Sequence, residues 1–253
     1  MFPLRDDNPT LTTPIATIAL IALNFICWAV FQGLGSEPTL TRSVCEFGLM
    51  PGELLGLARI GTQVQLGDDT FCVVGHSSWA VVVSSMFMHG SWFHILGNMW
   101  FMWVFGNNVE DVMGRVRFVL FYLLCGAAAA MAQVMASPHS VVPMVGASGA
   151  IGGVMGSYAI TYPRARVETL VFFGFFIRTI SVPAVFMLGY WFVLQLVAGL
   201  PSLAAESAGG VAFWAHVGGF VAGVVLTFVF RNPELLAAQR ALTGSRDYEQ
   251  LAG

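Results

Sequence analysis

Apolar residues run in six long blocks along the chain, at about 14–34, 92–106, 117–136, 144–162, 182–200 and 210–230, with polar residues gathered between them. A helix needs roughly 20 apolar residues to cross a bilayer, so each block is expected to be a span. The second block is short as written and is expected to extend outward to about Met86 or inward to Val109. The first follows only Arg5 and a short polar run, as a signal peptide would. Its apolar stretch is too long for one and no small-x-small site follows cleanly, so it counts as a span. The pattern predicts an all-α membrane protein, a six-transmembrane-helix bundle with a long external first loop. It reads as a single domain over 1–253, with a core from about 14 to 231 and short tails.

The segments between the blocks carry patterns of their own. Leu54, Leu55, Leu57 and Ile60 follow Pro51 at near-helical spacing, which predicts a short helix lying at the membrane surface. Asp68 and Asp69 beside Gly67 predict a turn after it. The stretch Val167–Val182 is apolar but interrupted by Gly174 and Arg178. It is too short to cross the core and is expected to form an interfacial hairpin or a re-entrant piece.

Composition agrees with a polytopic membrane protein: 57% of residues are hydrophobic and only 10% charged, against about 25% charged in soluble domains. The net charge of -3 is too small to suggest a nucleic-acid or acidic partner. All basic residues are Arg. Nine of them (Arg5, Arg115, Arg117, Arg164, Arg166, Arg178, Arg231, Arg240 and Arg246) fall on one side of the expected topology, and two, Arg42 and Arg59, on the other. The positive-inside rule then puts both termini in the cytoplasm and the loop at about 35–88 outside. Cys27 and Cys125 lie in spans and read as small buried apolar residues. Cys45 and Cys72 share the external loop, where they are either free thiols or a bridge.

Small residues crowd the fourth and sixth spans. Gly149 and Gly153, Gly152 and Gly156, and Gly219 and Gly223 each repeat at intervals of four, which puts glycines on one helix face and lets backbones approach. Gly146, Gly149, Gly219 and Gly223 are therefore expected to pack these helices around whatever lies between them.

What lies between them is chemically unusual. Ser148 and His216 interrupt otherwise apolar blocks, and polar groups that persist in hydrocarbon usually face a protected interior. The second, fourth and sixth spans run in the same direction, so their N-terminal ends share the outer leaflet. Counting helical rise from Pro143 and Gly210 puts Ser148 and His216 some 7–9 Å along their helices. His94 and Asn98 lie at similar depth after Ser91, a candidate N-cap, and being four apart they share a face. A serine hydroxyl needs a base, and His216 is suited to that role. His94, Asn98 and the backbone N–H of Ser148 are expected to donate to a developing oxyanion. No Asp or Glu lies in the fourth or sixth span, so the expected unit is a Ser–His dyad without a third member. Each residue also has a plainer reading, as a packing serine or an inter-helix hydrogen bonder. The coincidence of depth favours the chemical one. Three imidazoles, His89, His94 and His216, offer a metal site as a competing chemistry. No carboxylate or cysteine accompanies them, and His-x-x-x-x-His is not the i, i+4 spacing of zinc helices. No metal or cofactor is expected.

These residues resemble the rhomboid family of intramembrane serine proteases. The matching segments are His89-Gly-Ser-Trp-Phe-His94-Ile-Leu-Gly-Asn98, Gly146-Ala-Ser148-Gly-Ala-Ile and Ala215-His216-Val-Gly-Gly219-Phe-x-x-Gly223. Val104-Phe-Gly-Asn-Asn-Val-Glu110-Asp111 and Tyr162-Pro-Arg-Ala-Arg166 look like the bacterial branch, and the likeness runs from about residue 14 to 231. The resemblance implies a six-helix core around a short central helix and a water-filled cavity opening outward. It also implies Ser148 as nucleophile, His216 as base, His94 and Asn98 around the oxyanion, and transmembrane protein substrates cut near the outer face. The lipid bilayer of a bacterial inner membrane is the implied setting; nucleic acid has no place in it. One position departs: where some relatives carry an aromatic residue packed on the base, this chain has Gly152, and another residue must hold His216. A pseudoprotease that binds transmembrane segments would lack the serine or histidine that this chain keeps. A small transporter would show paired half-repeats, and no second Gly-Ala-Ser-Gly segment exists. Oligomeric state and substrate identity are not written in the sequence.

Overall fold

In the computed structural model, which describes residues 1–67, 70–173, 176–204 and 211–252, the apolar blocks become helices. A strand β1 (Phe2–Asp6) precedes α1 (Ile15–Val30). The first loop holds α2 (Thr39–Phe47), α3 (Pro51–Leu54), the strands β2 (Gln63–Gly67) and β3 (Thr70–Val73), and α4 (Val81–Ser84). Then come α5 (Trp92–Met113), α6 (Arg115–Ala136) and α7 (Ser148–Thr161). A hairpin of β4 (Arg166–Phe173) and β5 (Phe176–Pro183) leads to α8 (Ala184–Ala204), α9 (Phe213–Phe230) and α10 (Pro233–Ala252). Among the described residues, α6, α9 and the Ala184–Pro201 part of α8 are long and apolar enough to cross a membrane, and α1 is a shorter apolar helix.

The protein is mostly helical, as expected, but it also holds two small antiparallel sheets that the all-α expectation did not include. In β4 and β5 the β-branched residues Val167, Thr169, Val171, Ile177, Thr179 and Ile180 favour extended backbone over helix. Each arm is also too short to span as a helix. This hairpin reading of the segment holds, but it gains a third strand, because β1 pairs antiparallel with β4. The sheet reaches well up α5: Trp100 Nε1 donates to the carbonyl of Pro3 at 2.6 Å, and the ring of Phe2 stacks on Trp100. Backbone groups at an open sheet edge are costly beside lipid, and α5 meets part of that demand along β1. In the first loop the expected surface helix shrinks to the single turn of α3, and Leu55, Leu57 and Ile60 lie exposed beyond it. Asp68 and Asp69 fall outside the described residues, between the paired Gly67 and Thr70. Cys45 and Cys72 form a disulfide joining α2 to β3, while Cys27 and Cys125 are free and buried.

The second block extends inward rather than outward: α5 runs to Met113, whereas Met86 belongs to a separate turn. Two buried carboxylates at its inner end explain the extension. Glu110 accepts from the N–H groups of Ala16 and Thr17 at 3.0 and 2.7 Å, and Asp111 accepts from those of Leu11 and Thr12 at 2.6 and 3.1 Å. Glu110 satisfies orphan donors in the first turn of α1, where negative charge also suits the helix dipole, and Asp111 ties down the segment just ahead of it. Gly114, at φ 77, then lets the chain turn directly into α6.

The fourth block departs most. Helix α7 starts at Ser148 itself and has only 14 residues, about 21 Å. Residues 144–147 are not helical, because Leu49 and Met144 exchange backbone hydrogen bonds and Gly146 N–H donates to the carbonyl of Ser85. These bonds hold the chain out of helical conformation up to the start of a short, buried helix. The glycines then seat α9 against α7. A Cβ on Gly219 would collide with the carbonyl of Gly149, and one on Gly223 with that of Gly153.

Candidate active site

Three helix beginnings converge. His94 lies in the first turn of α5, Ser148 is the first residue of α7, and His216 lies in the first turn of α9. The expected count of five or six helical residues from Pro143 and Gly210 is therefore wrong, since neither helix starts there. The side chains meet because the helix ends meet. His216 Nε2 stands 2.7 Å from Ser148 Oγ. Both residues are half-buried and line a cavity of about 570 Å³ together with His94, Asn98, Gly146 and Trp191.

The opposite wall carries unspent donors. Ser91 caps α5 by accepting from His94 N–H at 3.2 Å, as its sequence position suggested. Gly90 N–H donates to His94 Nδ1 at 3.3 Å. A nitrogen that accepts carries no proton, so the neutral ring holds its proton on Nε2. That atom faces Gly146: a Cβ there would sit 2.7 Å from His94 Nε2 and 3.5 Å from Asn98 Nδ2. Gly146 has φ +128, a conformation that L side chains rarely adopt, so glycine is required there twice over. Asn98 Nδ2 is buried and makes no hydrogen bond. Both nitrogens therefore face Gly146, two residues before Ser148. Ser148 begins α7, so its backbone N–H has no intrahelical acceptor.

His89 does not join this group as a donor. It is fully buried with its ring against that of His94, centroids 5.1 Å apart, and its backbone is clamped by the Gln32 amide through two 2.7 Å hydrogen bonds. No group of three or more metal-ligating side chains occurs among the described residues. His76 and His139 lie in loops, outside the helices and strands.

Two residues of the site escaped the sequence reading. Gln195 on α8 places Oε1 2.8 Å from His216 Nδ1. Trp191, one turn earlier, packs on the His216 ring at 5.7 Å between centroids. Neither is a carboxylate, and neither lies in the fourth or sixth span. The available signal was a lone amide in the otherwise apolar fifth span, four residues after a tryptophan.

The sequence model of the Rhomboid domain matches residues 76–233. The chain is 30% identical over 154 residues to mitochondrial Rhomboid protein 1 of Saccharomyces cerevisiae, covering 57% of this chain and 40% of that protein. To the Rhomboid protease GluP of Bacillus subtilis it is 27% identical over 199 residues, 77% of this chain and 35% of that one. To the chloroplastic Rhomboid-like protein 11 of Arabidopsis thaliana it is 29% identical over 185 residues, 67% and 62% respectively. It thus spans between about a third and two-thirds of these relatives' lengths. The matched segment runs from ahead of α5 through α9 and contains Ser148, His216, His94 and Asn98, and by that match this integral membrane protein belongs to the rhomboid family.

Proposed function

We propose that the protein is an intramembrane serine endopeptidase that hydrolyses peptide bonds in the outer part of transmembrane segments of membrane-protein substrates. The observation that carries this reading is the 2.7 Å approach of His216 Nε2 to Ser148 Oγ inside the cavity. Ser148 Oγ attacks the scissile carbonyl as its proton passes to His216 Nε2. The oxyanion that forms accepts hydrogen bonds from His94 Nε2–H, Asn98 Nδ2–H and the backbone N–H of Ser148. The imidazolium of His216 then protonates the leaving amine. Water, deprotonated by the same imidazole, releases the acyl group and restores Ser148.

In this reading α1 and α5–α9 cross an inner bacterial membrane as one domain, 1–253, with both termini cytoplasmic. The arginine distribution supports that orientation. The outward position of the site follows from it, since Ser148 begins α7 on the side of the external loop. Incubation of the purified protein in bilayers with a single-span substrate is the test. Cleavage should occur with wild type and vanish with Ser148→Ala. Product masses should put the cut in the outer part of the substrate's span. Cuts at the cytoplasmic end, or cleavage that persists in Ser148→Ala, would contradict the reading.

The donor wall gives a second expected result. Removing one oxyanion donor typically costs about 10²–10³ in turnover, so His94→Ala and Asn98→Ala should each lower kcat by that factor with little change in KM. Asn98 makes no hydrogen bond through Nδ2 in the resting structure, so Asn98→Ala should leave thermal stability almost unchanged. A rise in KM larger than the fall in kcat would move these residues to substrate binding.

A further inference from the structure

The dyad leaves the second nitrogen of its base to be explained. Ser148 can donate to His216 Nε2 only if that nitrogen lacks a proton, which puts the proton of the neutral ring on Nδ1. Nδ1–H must then have an acceptor, and Gln195 Oε1 stands 2.8 Å away. Were the amide reversed, its NH₂ would face Nδ1 and force the proton onto Nε2, and the base could not act. Trp191 lies four residues before Gln195 on the same face of α8, and its ring rests against the imidazole at a tilt of 38°. Gly152 lets the α9 backbone approach, since a Cβ there would lie 3.1 Å from the carbonyl of His216, while Trp191 Cη2, at 3.8 Å from that point, is at ordinary contact distance.

We infer that Gln195 is the positioning residue for the base, the third member of a Ser148–His216–Gln195 hydrogen-bonded chain through which no proton passes to the amide, with Trp191 as its packing partner. This rests on the dyad proposed above. A neutral amide fills the place that a carboxylate takes in other serine hydrolases. It fixes the tautomer and ring orientation of His216 without burying a negative charge in the bilayer, which is costly. Of the elements packed around His216, α5 contributes His94 as the facing titratable group. Helices α7, α8 and α9 contain no Asp, Glu, Lys or Arg among their residues, and the arginines of α6 lie at its opposite end.

The difference between amide and carboxylate makes the assignment testable. The pH dependence of kcat/KM would be measured for wild type, Gln195→Glu and Gln195→Met in bilayers, with thermal unfolding of each. A carboxylate at position 195 favours the imidazolium, so the acidic limb in Gln195→Glu should move to higher pH by about 1–3 units. Gln195→Met keeps the volume but has no strong acceptor, and should lower kcat about 10–100-fold at nearly constant KM. A Met variant with wild-type kcat, or a Glu variant with the wild-type acidic limb, overturns the role of Gln195 while leaving the dyad intact. If wild-type cleavage is insensitive to Ser148→Ala, the dyad itself fails and Gln195 falls with it.

Discussion

His216→Ala is expected to lower kcat for a transmembrane substrate by about 10⁴–10⁶-fold, the loss seen when a serine hydrolase is deprived of its base. The fold should survive the change. His216 is half-buried at the cavity wall and spends its ring nitrogens on Ser148 and Gln195. Hydrogen bonds between helices in a bilayer are worth about 0.6 kcal/mol each on average. Losing both, with some ring contact to Trp191, costs far less than a folded domain's total stability of about 5–15 kcal/mol. Thermal unfolding measured beside cleavage kinetics should thus separate the two effects: a collapse in turnover with a melting temperature near that of wild type. A variant that retained even a hundredth of the activity would show that another group deprotonates Ser148.

The second large effect is expected to be on folding. Gly219→Val should abolish accumulation of folded protein, because its side chain would enter the backbone of α7 at the carbonyl of Gly149. A flexible side chain can step aside, but a peptide group at the start of a buried helix cannot. Overpacking of a rigid core costs about 1–3 kcal/mol even where some relaxation is possible. Here α9 must separate from α7, which also parts His216 from Ser148, so stability and activity should fall together. Gly189→Ala on α8 is the matched control, since a Cβ there meets nothing within 4 Å. Alanine favours a helix over glycine by up to about 1 kcal/mol, so that variant should be at least as stable as wild type. Equal melting temperatures for the two variants would refute the packing argument.

The hydropathy pattern located α1 and α5–α9 because burial, whether beside lipid or inside the bundle as in α7, leaves an apolar signature along a helix. It misjudged where α7 begins. The residues ahead of Ser148 are as apolar as those after it, and what unwinds them is long-range: Leu49 holding Met144, and Ser85 holding Gly146. The same blindness to distant partners hid β1, whose five residues acquire their strand only by pairing with β4. The meeting of Ser148 and His216 was legible because parity and glycine spacing are local properties that survive an error in depth. Gln195 was not legible by that route. It stands on α8, which runs in the opposite direction to α5, α7 and α9, and an amide does not advertise itself as a carboxylate would. Gly152 pointed to it indirectly, as a gap beside the base that some other side chain had to fill.

The central claim is that Ser148 is a nucleophile activated by His216, and covalent labelling reaches it without a substrate. The bilayer-embedded protein would be treated with a fluorophosphonate and analysed by intact-mass and peptide mass spectrometry. The expected result is one adduct, on Ser148, absent from Ser148→Ala and formed far more slowly in folded His216→Ala. An adduct on a different serine, or labelling of Ser148 at the wild-type rate without His216, would contradict it.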